Sequence, residues 1–321
     1  MSTHRVDVIQ IDTIEPHPNA DTLGLVHIDQ FVCAVRLGEF QPGDLAVYIE
    51  PDYVAPDTEQ FEFLGKHRRI KVRKLRGIYS QGLLVPAPPG SRVGDDVMES
   101  MGITRYEPPP PKMQTVSMGP QDHEEPHESL AQIPKYDLEN WRRYSKLLND
   151  GESVYVTEKM HGTNARYAYR DGRMWCGSRS QWKKQLPGCL WWRVLESEPW
   201  VAGWCEHNQD SVLYGEIFGR VQDLTYGAGD GEVWFRAFDV LRGYKFLDAR
   251  EFIMEPGIRT VPLVALVPYS ADGMEELALR NSTFWPPQIA EGIVIKPAVE
   301  RWDMRLGRVA LKLVSNAYLS K

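Results

Sequence analysis

EKMHGTN, residues 158–164, decides the reading of this chain, with Lys159 two positions before a His-Gly pair and Asn164 closing the stretch. A lysine in that setting says little alone, because most lysines of a charge-rich chain are solvated. Its weight comes from an ordered series of residues downstream: Arg179 in CGSRS, Glu216 in YGEIFG, Phe238 in FRAFDV, Glu291 and Lys296 in EGIVIK, and Lys312 in ALKLVS.

Chemistry explains why these residue types would converge. An amine that attacks a phosphorus atom must first lose its proton, and free lysine has a pKa of about 10.4. Holding it neutral near pH 7 costs roughly 4 to 5 kcal/mol, at about 1.36 kcal/mol per unit. Cations and a metal crowded around the amine supply that shift and also neutralise a triphosphate. Lys159 is the expected nucleophile of a covalent nucleotidyl transfer. Hydrated divalent metals take oxygen ligands, and Glu216 and Glu291 are the candidates to hold one.

The ordered set resembles the ATP-dependent RNA ligases, in the branch that holds the phage ligase-2 type, the RNA-editing ligases and the Deinococcus-type ligases. His161, Gly162 and Asn164 match that branch, whereas most DNA ligases and capping enzymes carry aspartate where His161 stands. The resemblance implies a lysyl-AMP on Lys159, with ATP and Mg2+ or Mn2+ as cofactors. It implies that Arg179 contacts the phosphate end of the nucleotide, that Glu216 holds the ribose hydroxyls or bound water, and that Phe238 stacks on adenine. Glu291 would serve the metal, Lys296 and Lys312 would bind phosphate and activate the departing pyrophosphate, and His161 and Asn164 would act in the later steps. One departure stands out. Relatives carry two lysines two apart in the last motif, but Ala310 and Val314 flank Lys312 here.

Local patterns agree with this placement. Residues 154–159 read as a strand, and NARYAYRDGRMWCGSRS reads as a hairpin turning at Asp171-Gly172, a favoured type I′ pair, which would return Arg179 towards Lys159. In EVWFRAFDV a regular strand puts Trp234, Arg236 and Phe238 on one face and Phe235, Ala237 and Asp239 on the other. That parity makes Asp239 structural rather than a direct metal ligand. In RVALKLV it puts Arg308 beside Lys312, so Arg308 is a possible substitute for the missing cation.

A chain of 321 residues is expected to hold two domains. The expected class is α+β: an OB-like β-barrel over residues 1–104, a proline-rich linker over 105–130, and over 131–321 an ATP-grasp-like adenylation domain of antiparallel sheets with flanking helices. Short alternating runs such as FVCAVRLGEF and RRIKVRKLRG, separated by turn signals, suggest the barrel. EPHPNADTL and KLRGIYSQGLLVP resemble the OB (oligonucleotide-binding) domain of the Deinococcus-type ligases. The linker holds His123 and His127 beside Glu124, Glu125 and Glu128, read as a solvated stretch rather than a metal cluster. Net charge is −7, the wrong sign for a strong nucleic-acid footprint. Between Lys66 and Arg76, however, stand seven Lys or Arg residues. Ile70 and Val72 alternate there with Arg69, Lys71 and Arg73, and these cations with Lys74 and Arg76 form the expected RNA-contacting face, of modest, salt-sensitive affinity.

LENWRRYSKLLN reads as an amphipathic helix capped by Asp137 and packed on the catalytic sheet. Residues 182–204 hold five of the ten tryptophans, expected to pack the core of a helical insertion. The cysteines Cys33, Cys176, Cys189 and Cys205 form no CxxC pair, which suggests reduced thiols in a cytoplasmic protein. No apolar run of about 18 residues is present, so no membrane insertion is expected. The expectation is an ATP-dependent ligase, by default a monomer, that joins a 3′-OH to a 5′-phosphate in RNA or an RNA-containing duplex. A capping-type guanylyltransferase and a non-enzymatic RNA-binding protein with a nucleotide-sensing pocket are the alternatives.

Overall fold

The computed structural model describes residues 4–107, 122–126 and 128–321. Most of the expected linker, including His127, lies outside them. The chain divides into two compact units: residues up to 108 together with 141–145 and 316–321, and residues 109–140 together with 146–315.

The first unit is built of short strands. Val8–Gln10, Leu45–Ile49 and Leu83–Pro86 form one antiparallel sheet. Leu23–Ile28 pairs with Phe31–Arg36, and Val72–Leu75 pairs with Ile78–Gln81. Successive side chains alternate across a strand, and here both faces of Leu45–Ile49 are covered: Val47 and Ile49 join a cluster with Val8, Phe61, Ile70 and Val85, while Ala46 and Tyr48 join one with Phe31, Cys33 and Leu84. Ile70 and Val72 point inward and Lys71 and Arg73 outward, as their alternation implies.

The segment expected to be a long helix on the catalytic sheet folds differently. Glu139–Asn140 is a short strand, the helix is only Trp141–Tyr144 followed by a 3-10 turn, and residues 141–145 belong to the first unit. Polar anchoring explains the correction. Arg143 pairs with Glu50 at 2.9 Å and Asp7 at 3.0 Å, Arg142 lies 3.3 Å from Asn316 Oδ1, and Gln81 donates to the same oxygen at 2.8 Å. Asp137, the expected cap, instead pairs with Arg179.

The second unit carries two sheets. Its main strands are β1 (Ser153–Lys159), β2 (Thr163–Arg170), β3 (Arg173–Gly177), β4 (Ser211–Gly219), β5 (Val233–Arg242), β6 (Leu263–Pro268), β7 (Gly292–Pro297) and β8 (Leu311–Val314). The five-stranded sheet runs Glu139–Asn140, β8, β7, β1, β6; the seven-stranded sheet runs His123–Glu124, Trp182–Lys183, β3, β2, β4, β5, Lys245–Phe246. His123–Glu124, read as linker, is therefore an edge strand paired with Trp182–Lys183. The β2–β3 hairpin turns at Asp171 and Gly172, both at positive φ (53° and 75°), as the type I′ pair requires. Helices α1 (Leu190–Ser197) and α2 (Trp200–His207) bury Trp191 and Trp204 against Tyr167, Leu213 and Phe235, so these tryptophans are core. A further helix, α3 (Ala271–Ala278), follows β6.

Close approach of β7 to β8 depends on Gly292, where a Cβ would stand 2.1 Å from the Leu313 carbonyl oxygen. Gly273 in α3 faces open space. Gly292→Ala is therefore expected to lower stability by about 3 kcal/mol through overpacking, and Gly273→Ala to raise it by about 0.5 to 1 kcal/mol through helix propensity. Chemical denaturation of the two variants checks this, and equal midpoints would contradict the stated β7–β8 geometry.

Candidate active site

The EKMHGTN stretch is the link between the two sheets. Lys159 ends β1 in the five-stranded sheet, and Thr163 then begins β2 in the seven-stranded one. Gly162 is at the tightest point of the crossing: a Cβ there would lie 2.0 Å from the carbonyl oxygen of Ile217 on β4. The nucleophile candidate is thus held at a seam by backbone packing.

Register places the remaining groups. Lys159 pairs with Gly292 on β7, so Glu291, one residue before that strand, reaches across to it. Lys159 Nζ lies 2.6 Å from Glu291 Oε1, and His161 Nδ1 lies 3.3 Å from Oε2 of the same carboxylate. His161 Nε2 lies 2.6 Å from Asp223, while its backbone N–H donates to the Tyr226 hydroxyl at 2.7 Å. Gln222 donates to the Gly162 carbonyl. On the other sheet Asn164 stands level with Glu216, which stands level with Arg236. The Asn164 Oδ1 is buried without a hydrogen-bond partner.

These surroundings drive the pKa values of the two carboxylates apart. Burial pushes Glu216 up to about 8, with Lys159 and His161 pulling it down and Glu291 pushing it up. Burial alone would also raise Glu291, but its contacts with Lys159 and His161 hold it at about 2. Burial lowers the His161 pKa and the Glu291 contact more than offsets it, so the imidazole is raised above its usual value.

A second polar group lies under β5. The β4–β5 register slips between Tyr214 and Gly215, pairing Tyr214 with Asp239 and Gly215 with Ala237, so Phe238 is the extra residue of a bulge. The regular alternation expected there is broken. Asp239 is fully buried and collects the Tyr136 hydroxyl at 2.6 Å, Lys296 Nζ at 2.9 Å and Arg308 at 2.8 Å. Burial disfavours its charge, yet Arg308 and Lys296 bring it below the usual carboxylate range. Strand parity therefore does not describe this stretch, and Asp239 is held by its contacts with Tyr136, Lys296 and Arg308. Arg308 is bound by Glu300 as well and lies 3.8 Å over Phe246, so its charge is engaged inside this network. Phe238 is half-buried, its ring centroid 4.5 Å from that of Tyr136.

The geometry therefore joins Lys159, His161 and Glu291 directly, sets Asn164 and Glu216 opposite each other, and gathers Phe238 and Lys296 around Asp239. Lys296, expected at phosphate, holds Asp239 and the Phe238 carbonyl. Arg179 is exposed beyond the end of β3 in its 2.7 Å pair with Asp137. Lys312 sits half-buried on β8, level with Val294. In the barrel unit Lys71, Arg73, Lys74 and Arg76 point away from the core, whereas Arg69 is tied to Asp52 at 2.6 Å and stacked on Tyr106. Sequence reading missed Gln222, Asp223 and Tyr226, which lie in an aperiodic loop between β4 and β5, and Tyr136, which stands just past the expected linker. Among the described residues no group of three or more His, Cys, Asp or Glu side chains is arranged as a metal site, and no helix is long and apolar enough to cross a membrane.

A family model described as RNA ligase matches residues 152–314, and one described as an OB-fold domain matches residues 5–87. A barrel followed by a two-sheet domain with a lysine at the seam defines a ligase-type enzyme. The chain belongs to the RNA ligase family. Among solved structures it is similar to Naegleria gruberi RNA ligase. A lysine-to-alanine variant with ATP and Mn gives a TM-score of 0.81 at 23% identity over 98% of each chain. An apo aspartate-to-alanine variant gives 0.81 at 24% over 99% of this chain and 98% of that one. A lysine-to-methionine variant with AMP and Mn gives 0.80 at 23% over 98% and 97%. At that identity the likeness carries the fold. No curated protein sequence matches the chain.

The raised Glu216 carboxyl has a consequence for stability. Between about 4.5, its ordinary value, and about 8 the folded protein holds a proton that the unfolded chain has released. Stability therefore falls as pH rises through that window. Relative to Glu216→Gln, the metal-free wild type is expected to lose up to about 1.4 kcal/mol per pH unit between about pH 5 and 8. Urea denaturation at four pH values measures it, and parallel profiles would contradict the assignment.

Proposed function

We propose that the chain seals RNA breaks bearing a 3′-OH and a 5′-phosphate, using ATP and a divalent metal through a lysyl-AMP on Lys159. The observation that carries this is the Lys159–Glu291–His161 cluster at the seam between the sheets, next to the paired strands β2 and β4 that set Asn164 and Glu216 level with each other.

Glu216 and Glu291 fit a hard-cation site of the kind that takes one or two carboxylates and completes its shell with water and substrate phosphates. The raised Glu216 carboxyl and the buried Glu291 Oε2, which His161 faces without a well-aligned hydrogen bond, are the groups such a cation would satisfy. A cation there supplies positive charge that competes with the Lys159 ammonium for Glu291 and neutralises the triphosphate. Glu291 holds the Lys159 ammonium at the end of β1. Once that pair is loosened and the proton released, the Lys159 nitrogen attacks the α-phosphorus, the bond to the bridging oxygen breaks and pyrophosphate leaves. Phe238 offers a ring face for adenine, and Arg179 and Lys312 offer cations for the phosphates. AMP then passes from Lys159 to the RNA 5′-phosphate, and the 3′-OH displaces it to form the phosphodiester. His161 and Asn164 serve these later steps, His161 being oriented by Asp223 and by the Tyr226 hydroxyl. The outward-facing cations of residues 71–76 form a second contact for RNA. The free thiols, three of them buried, suit a reducing cytoplasmic setting, and a monomer suffices for this chemistry.

Incubation with α-labelled ATP or GTP and a divalent metal tests the reading on denatured protein. Label from ATP alone, lost in Lys159→Ala, is expected. Label from GTP would point to a capping-type transfer, and absence of label from either would remove the ligase mechanism.

A further inference from the structure

On β2, two residues beyond Asn164 and on the same face, stands Arg166. It is 4% exposed, and its Nε has no hydrogen-bond partner. Its register partner is Tyr214, as Glu216 is that of Asn164, so the Arg166–Tyr214 pair lies one pleat repeat, about 7 Å, from the Asn164–Glu216 pair. One side of the guanidinium covers Trp182 at 4.3 Å from the ring centroid. Among the described residues no carboxylate is paired with it. Burial pushes its pKa down, and the support opposing this comes from the Tyr214 hydroxyl.

Arg166 lines a cavity of about 230 Å³ between the edge strand His123–Glu124, the segment 130–135 and residues 180–182. That is smaller than the roughly 300 Å³ at which pockets for whole small molecules begin, so it suits a single group. Lys135 adds a cation at the wall and Gln181 a neutral donor. Of the two glutamates there, Glu124 is neutralised by Arg173 at 3.0 Å and Glu125 is exposed. A buried guanidinium without a counter-charge is costly. A ligand that brings an anion removes that cost, and a nucleic-acid strand leading away from the Asn164–Glu216 site brings one phosphate per nucleotide.

We propose that this cavity is a phosphate-binding subsite for the RNA strand, with Arg166 as its buried donor. The assignment rests on the RNA ligase reading and adds to it a position for the substrate backbone outside the nucleotide site.

The test uses the full chain, a fluorescent 5′-phosphorylated single-stranded RNA, and two variants. Arg166→Met keeps the stem over Trp182 and removes the charge, while Arg166→Lys keeps the charge. Arg166→Met is expected to weaken RNA binding about tenfold, the effect of one charge-assisted hydrogen bond. It should also flatten the dependence of log affinity on log salt by about 0.7, one single-strand phosphate contact, with Arg166→Lys recovering most of both. The loss of RNA affinity should exceed any loss of lysyl-AMP yield. Wild-type affinity and slope in Arg166→Met overturn the proposal. So does an equal fall in RNA binding and lysyl-AMP yield that lysine does not restore, which marks a structural arginine. Inorganic phosphate and pyrophosphate are titrated in parallel: Arg166-dependent binding of either with unchanged RNA affinity assigns the cavity to a free anion and overturns its RNA role. Failure of the wild type to form lysyl-AMP would instead strike the ligase reading, and the salt slopes would still decide the cavity.

Discussion

One buried carboxylate, Glu291, sets the geometry on which the rest of the site depends. It accepts from Lys159 on one oxygen and faces His161 with the other, so one residue beside β7 fixes both functional members of a motif that begins on β1. The backbone contributes equally, because Gly162 and Gly292 let neighbouring strands approach more closely than any side chain would allow. Gly in these two motifs is thus a packing requirement as much as a chemical one.

Much of this was legible in the sequence. The ordered motifs singled out Lys159 and Glu291, which strand register brings to 2.6 Å, and Glu216, which register sets level with Asn164. The Asp171-Gly172 turn and the alternation of Ile70 and Val72 with basic residues were legible for local reasons: backbone at positive φ and a two-residue period leave direct marks. What was not legible depended on distant partners. LENWRRYSKLLN has a helical stripe, yet Arg143 is claimed by Glu50 and Asp7 and Glu139–Asn140 by β8, contacts without local signature. His123–Glu124 reads as linker because a two-residue edge strand is too short for a period to show. Asp223 and Tyr226 sit in a loop whose sequence has no pattern at all.

The bulge at Phe238 shows how a single inserted residue divides labour. In a regular strand a residue and its neighbour face opposite sides, so an aromatic ring at the nucleotide would leave the next carboxylate on the far face of the sheet. With Phe238 as the extra residue, its ring meets Tyr136 and Asp239 binds the hydroxyl of that same tyrosine. Asp239 then draws Lys296 and Arg308 into one buried network, and Arg308 is the cation that sequence parity offered to complete the last motif. The pair of lysines usual in relatives is therefore not rebuilt by Arg308 in this state: its charge is committed to Asp239 and Glu300.

The two active-site glutamates show how like residues acquire unlike roles. They are chemically identical and both lose hydration, but Glu291 contacts both cations and stays ionised, whereas for Glu216 burial outweighs the pull of Lys159 and His161 and pushes the carboxyl up to about 8. Pairs of groups whose surroundings drive their pKa values apart mark the division of acid–base and charge-binding work in enzymes. Here the split stores a latent anion. With its carboxyl raised to about 8, Glu216 is largely neutral at neutral pH, which keeps it from repelling the ionised Glu291. A cation held by Glu216 and Glu291, as proposed above, would favour the ionised form of Glu216, and its binding would then release a proton. The neutral carboxyl spares a chain of net charge −7 a further negative charge beside Lys159 and Glu291.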